Sequence, residues 1–367
     1  MTDLFFMKRA ITLSSKARGM TSPNPMVGAV IVKNGKIVAE GYHRKPGTPH
    51  AEAIAIAAAG EKTRGSTLYV SLEPCCHTDK RTPPCTKAII ESGIKRVVMA
   101  MKDPNPKVSG KGMKELEEAG IGVTSGLLEE KAKRINEFYI KYITTKKPFV
   151  ILKVAMTLDG KIATGAGQSK WITGERSRKM VHRLRSSVDA VMTAIGTVKA
   201  DDPQLTARIR NGRNPKRILI DPYLEISPDA KILRVPPETI VVTEHTSDAA
   251  IRRKANILLD NGVSIILYKV SLKLLWLLEK LGERGITSLM IEGGSSLNAH
   301  CLEEGIVDKV MLFVAPKIMG GVHSYPAVGG SASRRLTETY MLKDMAARKV
   351  GEDLLVEGYL SSTSTAP

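Results

Sequence analysis

The spacing of apolar residues in the first 146 positions predicts a small α/β unit. Alternating apolar residues predict two strands at 26–32 and 36–42, and Asn34-Gly35 between them is a strong signal for a hairpin turn. Further strands are predicted at 67–72, at 96–101 and near Val123, with helices at 3–18, 53–59, 86–92, 110–119 and 129–143. These elements predict a sheet of about five strands with helices packed on it.

A second α/β pattern follows a polar connector at 144–148 that ends in proline. Apolar runs predict strands at 149–156, 190–194, 217–221, 239–243, 264–268, 288–291 and 309–314, with helices at 176–186, 272–281 and 297–304. Such alternation predicts a mostly parallel sheet with helices on its faces. We therefore expect two domains, 1–146 and 147–360, and a disordered polar tail at 361–367.

A histidine, a glutamate and two cysteines carry the clearest chemistry. His50 and Glu52 open one predicted helix, while Cys75 follows a predicted strand and Cys85 precedes a second helix. One imidazole and two thiolates supply three ligands, so a tetrahedral zinc ion keeps a fourth position open for water. This pattern is the signature of a zinc-dependent deaminase. Glu52 is then expected to move a proton from the water to the departing ammonia.

Other interpretations of these residues remain open. Cys76 is a rival to Cys75 as ligand, although Pro74 fixes the backbone that presents Cys75. His77 could complete a closed, structural zinc site, or the cysteines could be reduced core residues. Cys301 lies far along the chain and is best interpreted as a small buried apolar residue.

The second half contains a strand that runs into Glu292-Gly293-Gly294-Ser295 and then a helix. Glycines allow close approach of a phosphate, and a helix N-terminus offers free N–H groups. The segment lacks the G-x-G-x-x-G pattern, so the motif alone does not establish dinucleotide binding, and such a pair is more often a tight turn. Trp171 lies in a glycine-rich loop and could equally plug the core or form a wall for a planar ring.

The composition of the chain limits the classes of ligand that we expect it to bind. The net charge is +18, which invites a nucleic-acid interpretation, but aromatic residues make up only 4% of the chain and no aromatic ladder accompanies the basic clusters at 176–185 and 208–217. We therefore expect a small phosphorylated ligand and no nucleic acid. Three of the four cysteines are clustered, which favours a metal in a reducing compartment over disulfides. With no signal peptide and no apolar run of membrane-spanning length, we expect a cytoplasmic protein with no membrane association. We also expect a homo-oligomer.

Over nearly its whole length the chain resembles the bifunctional deaminase–reductase family of riboflavin biosynthesis. The segments that carry the resemblance in the first half are Ser22-Pro23-Asn24-Pro25-Met26-Val27-Gly28, Pro49-His50-Ala51-Glu52, Leu72-Glu73-Pro74-Cys75-Cys76-His77, Arg81-Thr82-Pro83-Pro84-Cys85 and Asp103-Pro104-Asn105-Pro106. Those in the second half are Met156-Thr157-Leu158-Asp159-Gly160-Lys161, Ser169-Lys170-Trp171-Ile172-Thr173, Gly196-Thr197-Val198-Lys199-Ala200-Asp201-Asp202-Pro203, Glu292-Gly293-Gly294 and Ala315-Pro316-Lys317. The resemblance implies a cytidine-deaminase-like domain followed by a dihydrofolate-reductase-like domain.

It also implies two reactions and two cofactors. The first domain would use zinc to hydrolyse the 2-amino group of 2,5-diamino-6-(5-phosphoribosylamino)pyrimidin-4-one. The second would use NADPH to reduce the ribose of the resulting 5-amino-6-(5-phosphoribosylamino)uracil to a ribityl chain. His50, Cys75 and Cys85 fall on the family's zinc ligands, and Glu52 falls on its proton shuttle.

The resemblance assigns the remaining site residues by position. NADPH-contacting positions are occupied by Ala155, Trp171, Thr197, Asp201, Gly294, Ser295, Ser296, Leu297, Asn298, Ala299 and His300. Reductase-substrate positions are occupied by Ser169, Arg185, Leu205, Arg208 and Glu292. From their chemistry we add Lys153 near the expected ribose site, with Asn24 and His43 as candidates for holding the pyrimidine nucleotide over the zinc.

The chain departs from the family at the cysteines. Nine residues separate Cys75 from Cys85 where the family usually has eight, and Cys76 stands where serine is common. Two other functions compete with this interpretation. One is a zinc deaminase that acts on a base in nucleic acid. The other is a structural zinc module joined to a nucleic-acid-binding domain.

Overall fold

The computed structural model describes residues 2–78, 82–330 and 335–361. It divides into two compact units, Met1–Lys146 and Lys147–Pro367, which we call the first and second units. The division falls inside the polar connector at 144–148. Most of the predicted tail at 361–367 lies outside the described residues. No helix in the described ranges is both long and apolar enough to cross a membrane.

The first unit is a five-stranded sheet with helices packed on it. Its strand order is β2-β1-β3-β4-β5, with β1 antiparallel to both β2 and β3, and with β3, β4 and β5 mutually parallel. The elements in chain order are α1 (Asp3–Ser14), β1 (Gly28–Lys33), β2 (Lys36–Tyr42), α2 (Ala51–Ala59), β3 (Thr67–Val70), α3 (Cys85–Glu91), β4 (Arg96–Met99), α4 (Lys111–Glu118), β5 (Gly122–Ser125), α5 (Glu129–Ile135) and α6 (Glu137–Thr145). The predicted hairpin at Asn34-Gly35 is confirmed.

Two predicted helices of the first unit are shorter than expected. The helix predicted over 3–18 ends at Ser14, and a short 3-10 turn follows it. The helix predicted over 129–143 is broken at Asn136, which is buried. The Asn136 side chain accepts a hydrogen bond from the Met26 backbone N–H at 2.8 Å and donates one to the Met26 carbonyl at 3.1 Å. A tertiary contact across 110 residues of sequence therefore accompanies the break, and no local pattern announces it.

The second unit contains a nine-stranded sheet in the order β11-β10-β9-β8-β12-β6-β13-β16-β15. The strands from β11 to β13 are parallel, as predicted, and β16 and β15 extend the sheet antiparallel. The elements in chain order are β6 (Phe149–Thr157), β7 (Lys161–Ala163), α7 (Glu175–Ser187), β8 (Ala190–Ala194), α8 (Ile195–Asp201), β9 (Lys216–Ile220), β10 (Thr239–Glu244), α9 (Ala249–Asp260), β11 (Ser264–Tyr268), α10 (Leu274–Glu283), β12 (Ser288–Ile291), α11 (Ser295–Glu303), β13 (Lys309–Ala315), β14 (Tyr325–Pro326), β15 (Leu342–Val350) and β16 (Asp353–Leu360).

Four parallel strands of the second unit, β8, β9, β10 and β12, are buried on both faces, which explains their continuous apolar runs. The antiparallel hairpin of β15 and β16 was not predicted, because β15 is exposed along almost its whole length and shows no apolar alternation. The carboxyl ends of β6, β8 and β12 meet at one edge of the sheet, where parallel α/β proteins bind ligands.

A glycine in β2 sets the position of the helix that carries Glu52. A Cβ atom added at Gly41 would lie 2.3 Å from the Ala51 carbonyl oxygen and 2.8 Å from the Ala55 nitrogen, both in the backbone of α2. Helix α2 therefore packs on β2 more closely than any side chain at position 41 would permit.

We predict that Gly41→Ala destabilises the first unit by about 1–3 kcal/mol, because α2 must move away from the sheet. Hydrogen–deuterium exchange read on peptides from β2 and α2 measures the loss of protection. Gly122→Ala in β5 is the matched control, because its added Cβ would meet only the Lys95 carbonyl oxygen at 3.7 Å. Equal protection in both variants would contradict the close packing.

Candidate active sites

Three potential metal ligands converge in the first unit from three separate elements. His50 immediately precedes α2, Cys75 follows the end of β3, and Cys85 is the first residue of α3. The Nδ1 atom of His50 lies 3.4 Å from the Cys75 sulfur and 3.2 Å from the Cys85 sulfur. The Cys85 backbone N–H donates to the Cys75 carbonyl at 2.9 Å, which fixes the start of α3 against the other cysteine.

These distances fit a zinc ion. A tetrahedral zinc with one nitrogen and two sulfur ligands places nitrogen and sulfur about 3.5 Å apart. The three ligand atoms lie within 4.8 Å of one another, and among the described residues neither Cys76 nor His77 belongs to this group. The Cys76 sulfur instead lies 4.0 Å from the Lys107 carbonyl oxygen, and burial raises the pKa of its thiol.

Glu52 lies in the first turn of α2 and is 3% exposed. Burial raises the pKa of its carboxyl, and the nearby Cys75 thiolate raises it further. Its Oε2 atom makes no hydrogen bond within the described part of the chain. A buried carboxyl oxygen without a partner costs about 1–3 kcal/mol, which suits a group that exchanges a proton with a ligand.

Asn24 and His43 lie together beside this group. The Asn24 side-chain nitrogen is 3.1 Å from His43 Nε2, and His43 Nδ1 is 3.3 Å from the Pro49 carbonyl oxygen. Burial lowers the pKa of His43, so the neutral ring can donate from Nδ1 to Pro49 and accept at Nε2 from Asn24. The rings of His43 and His50 are 5.3 Å apart, which places the predicted substrate residue next to the metal group.

Asp103 is a further buried acid that the sequence analysis quoted only as part of a motif. Its Oδ1 atom accepts hydrogen bonds from the Asn105 backbone N–H at 2.9 Å and the Tyr139 hydroxyl at 2.8 Å. Burial raises the pKa of Asp103 to about 6. The Glu73 carboxylate holds this loop by accepting the backbone N–H groups of Asp103, Gly110 and Met113. A polar loop after the strand parallel to β3 was the signal that could have identified it.

The second unit contains an open pocket of about 1170 Å³ at the carboxyl ends of its parallel strands. Fourteen of the predicted residues line it: Lys153, Ala155, Ser169, Trp171, Arg185, Thr197, Asp201, Leu205, Arg208, Glu292, Gly294, Ser295, Ser296 and Leu297. The other three predicted residues, Asn298, Ala299 and His300, lie in α11 but are not among the residues that line the pocket. Asn298 donates to the Ala327 carbonyl at 2.8 Å, His300 pairs with Glu304 at 2.8 Å, and Ala299 is buried.

A buried ion-pair group lies at the base of this pocket. The Glu292 carboxylate accepts two hydrogen bonds from Arg185, at 2.6 and 2.9 Å, and pairs with the Lys153 ammonium at 2.8 Å. Burial pushes the pKa of Glu292 upward, but the charges of Arg185 and Lys153 outweigh burial and hold that pKa well below its usual range. The carboxylate is therefore ionised throughout the working pH range and fixes both cations.

The loop that carries Leu205 and Arg208, together with Trp171, also lines the pocket. Leu205 and Arg208 both have left-handed backbone conformations, with φ of 52° and 45°, which is uncommon for such residues. Arg208 lines the pocket and donates hydrogen bonds to the Thr206 hydroxyl and the Gln204 amide oxygen. Because both acceptors are neutral, they leave the positive charge of Arg208 uncompensated. Trp171 is 63% exposed, and the Arg178 guanidinium lies 4.8 Å from its ring centre. This exposure excludes the alternative in which Trp171 plugs the core.

The pocket also offers polar groups suited to a nucleotide cofactor. Ser295 Oγ, in the first turn of α11, is buried and makes no hydrogen bond to the described residues. Ser169 donates to the Asp201 carboxylate at 2.9 and 3.1 Å. The pocket residue His182 was not predicted, because an isolated histidine on a helix gives no motif. Its Nδ1 lies 3.2 Å from the Thr206 carbonyl oxygen, and burial, followed by Arg185, lowers its pKa.

Comparison with known proteins identifies both units. A family model described as the RibD C-terminal domain matches residues 148–356, and one described as the cytidine and deoxycytidylate deaminase zinc-binding region matches residues 1–101. Riboflavin biosynthesis protein RibD of Aquifex aeolicus is 47% identical over 356 residues, which cover 96% of this chain and 97% of the relative.

The chain belongs to the RibD family.

Solved structures of the RibD family agree over the whole chain. Acinetobacter baumannii RibD matches with a TM-score of 0.89 at 36% identity, covering 98% of this chain and 99% of that one. The Thermotoga maritima diaminohydroxyphosphoribosylaminopyrimidine deaminase/5-amino-6-(5-phosphoribosylamino)uracil reductase matches with a TM-score of 0.86 at 40% identity, with the same coverage. The predicted two-domain α/β fold and the predicted bifunctional enzyme of riboflavin biosynthesis, with zinc and NADPH as cofactors, are confirmed.

We predict that Cys75→Ser loses zinc, whereas Cys76→Ser retains it. Only the first change removes a sulfur close to His50 Nδ1. Metal analysis of the two purified variants measures the difference, and each variant is the matched control for the other. Zinc kept by Cys75→Ser and lost by Cys76→Ser would show that the longer loop has shifted the ligand by one position.

We predict that Asp103→Asn stabilises the zinc-free first unit at pH 7. The carboxyl binds its proton more tightly in the folded state, with a pKa of about 6, than in the unfolded chain, so folding stability falls as pH rises from about 4 to about 6. A pKa difference of this size corresponds to roughly 3 kcal/mol at neutral pH. Asparagine keeps the acceptor oxygen for Asn105 and Tyr139 without this cost.

Hydrogen exchange of peptides spanning β4 and α4, compared between wild type and variant at each pH, measures the effect. The advantage of the variant should be largest at pH 7 and should shrink toward zero near pH 4. An advantage that does not change with pH would mean that packing, rather than the buried charge, distinguishes the two side chains.

Proposed function

We propose that the first unit hydrolyses the 2-amino group of 2,5-diamino-6-(5-phosphoribosylamino)pyrimidin-4-one, and that the second unit reduces the ribose of 5-amino-6-(5-phosphoribosylamino)uracil. The observation that carries the proposal is the presence, in one chain, of two distinct sites. One is a His–Cys–Cys group beside the buried Glu52 carboxyl, whose Oε2 makes no hydrogen bond to the described residues, and the other is a separate pocket built around Glu292. The substrate named for the Thermotoga maritima relative has the same chemistry.

In the deamination, His50, Cys75 and Cys85 would hold the zinc ion, which supplies Lewis acidity that makes a water molecule acidic near neutral pH. Glu52 takes a proton from the attacking water and delivers it to the departing amino group, which leaves as ammonia. The raised pKa of Glu52 suits both steps, because burial makes the carboxylate a stronger base towards the water than an exposed carboxylate.

Asn24 and His43 would recognise the pyrimidine nucleotide. The Asn24–His43 contact fixes the orientation of the amide, so that its remaining polar groups are aimed before the substrate arrives. A fixed hydrogen-bonding edge rejects analogues that lack the matching group, because the protein's polar atoms are then left unpaired.

In the reduction, the NADPH-binding wall would comprise Thr197, Trp171 and the start of α11 at Ser295, and the bound cofactor supplies the hydride. Ser295 Oγ and the first N–H groups of α11 suit a phosphate of the cofactor. Asn298, Ala299 and His300 face away from the pocket, so their part is to hold α11 in place.

Lys153 would supply a proton to the ribose, and Arg208 would bind the phosphate of the substrate. Reduction that opens the ribose ring requires a proton as well as a hydride, and Lys153 has an ammonium group held in the pocket by Glu292 at 2.8 Å. Arg185 is occupied by Glu292, whereas the charge of Arg208 meets only neutral oxygens. Arg208 is therefore the stronger phosphate ligand, with Arg185 as the second.

We further infer that the partner of this enzyme is a small phosphorylated pyrimidine rather than nucleic acid, and that the chain forms a homo-oligomer. The pocket of about 1170 Å³ supports a small-molecule role for the second unit that neither nucleic-acid alternative requires. Strand β15 lies at the edge of the nine-stranded sheet with Met345 67% exposed, and an exposed edge of this kind favours pairing with another chain.

We predict that Glu52→Gln retains zinc and loses deamination by about a hundred-fold or more, because glutamine cannot transfer the proton. Ammonia release from the diaminopyrimidinone nucleotide measures the first reaction, and NADPH absorbance with the uracil nucleotide as substrate measures the second.

The reductase rate of the same variant is the internal control, since Glu52 lies in the first unit and the reductase pocket lies in the second. Wild-type ammonia release by Glu52→Gln would refute the proton-transfer role. A wild-type protein that consumes no NADPH with the uracil nucleotide would refute the function proposed for the second unit.

A further inference from the structure

The two ring nitrogens of His50 have different surroundings. Nδ1 faces the sulfurs of Cys75 and Cys85 at 3.4 and 3.2 Å. Nε2, on the opposite side of the ring, lies 3.2 Å from the hydroxyl oxygen of Thr82. One nitrogen therefore faces the metal group, and the other faces a side chain that none of the roles above uses.

The chemistry of imidazole decides how this contact works. A ring that binds a metal through Nδ1 needs the lone pair of that nitrogen, so the single proton of the neutral ring must lie on Nε2. Nε2–H then needs an acceptor, and a threonine hydroxyl oxygen has lone pairs to accept it. Acceptors of this kind fix the tautomer and the ring orientation of metal-binding histidines and increase their basicity.

The backbone around Thr82 supports such a role. Pro83 and Pro84 follow it and restrict the chain up to Cys85. The Cys75 carbonyl then accepts hydrogen bonds from the Cys85 backbone N–H at 2.9 Å and from the Thr86 backbone N–H at 3.3 Å. The short segment from Thr82 to Cys85 is thus fixed at one end to the histidine ligand and at the other end to the cysteine ligand.

We propose that Thr82 is a positioning residue of the zinc site, whose hydroxyl oxygen accepts the Nε2–H of His50 and thereby holds Nδ1 toward the metal. The proposal rests on the proposed role of His50, Cys75 and Cys85 as zinc ligands. It adds a residue that does not touch the metal but sets how tightly the site binds it.

Two substitutions at Thr82 separate hydrogen bonding from packing. Thr82→Val has nearly the same shape but no acceptor, and it should weaken zinc binding by about 10- to 100-fold. Thr82→Ser keeps the hydroxyl and should bind zinc almost as tightly as wild type. Thr78→Val makes the same chemical change at an exposed position of the same loop and should have no effect. Competition between full-length apoprotein and a chromophoric chelator measures the affinities.

A second measurement, on the wild-type protein, does not depend on any variant folding. In the zinc-loaded protein with ¹⁵N-labelled histidine, NMR should show that His50 carries its proton on Nε2 and that this proton exchanges slowly with water. A His50 ring protonated on Nδ1 would overturn the proposal, and so would zinc affinity in Thr82→Val equal to that of wild type. Equal weakening in Thr82→Ser and Thr82→Val would overturn it as well, because packing would then be responsible.

The failure of the underlying zinc assignment gives a different result. In that case His50→Ala would bind zinc as tightly as wild type, whereas a failure of the Thr82 proposal alone leaves the loss of zinc in His50→Ala intact. The chelator assay distinguishes the two outcomes in a single series of proteins.

Discussion

The first active site depends on two helices, α2 and α3, whose first turns both lie beside Cys75. The Cys75 carbonyl receives the first N–H groups of α3, so backbone hydrogen bonds hold Cys85 beside Cys75. His50 is placed by α2, which Gly41 allows to pack directly on β2. Because both outer ligands are positioned by regular structure, the loop between the cysteines has freedom in length. This accounts for a chain that carries nine residues there and still brings the three ligand atoms within 4.8 Å of one another.

Two buried glutamates show how differently the two units use a carboxyl group. Glu292 meets two cations and stays ionised, since the combined attraction of Arg185 and Lys153 exceeds the cost of burial. Burial raises the pKa of Glu52, and its Oε2 atom makes no hydrogen bond to any described residue. The ion pairs of Glu292 fix the positions of Lys153 and Arg185, because removing the carboxylate would leave both cations uncompensated. Glu52 has a buried oxygen without a hydrogen-bond partner among the described residues, which is useful only where a bound ligand supplies that partner.

The sequence predicted features that depend on local patterns and missed those that depend on tertiary contacts. Apolar alternation and the Asn34-Gly35 turn predicted the first sheet, and the continuous apolar runs predicted the parallel strands of the second. The break at Asn136 depends on hydrogen bonds to Met26, and the exposed strand β15 has no apolar face to reveal it. The same division holds for the sites. Contiguous motifs predicted His50, Cys75 and Cys85, whose ligand atoms the fold brings together. The same motifs contain Asp103 and Thr82 but do not show their hydrogen bonds to Tyr139 and His50, and no motif contains His182.

The overall charge of the chain was a poor guide to its phosphate chemistry, and the pocket shows why. Six cations line the reductase pocket, namely Lys153, Lys170, Arg178, Arg185, Arg208 and Lys231. Asp201, Asp202 and Glu292 offset three of them, which leaves three positive charges. A phosphate monoester, with a second pKa near 6, carries close to two negative charges at neutral pH. His182 would add a further positive charge if it were protonated, and its lowered pKa favours the neutral ring. The lining of the pocket therefore carries a local excess of positive charge that suits a phosphate group, and the net charge of +18 over the whole chain is not required for it.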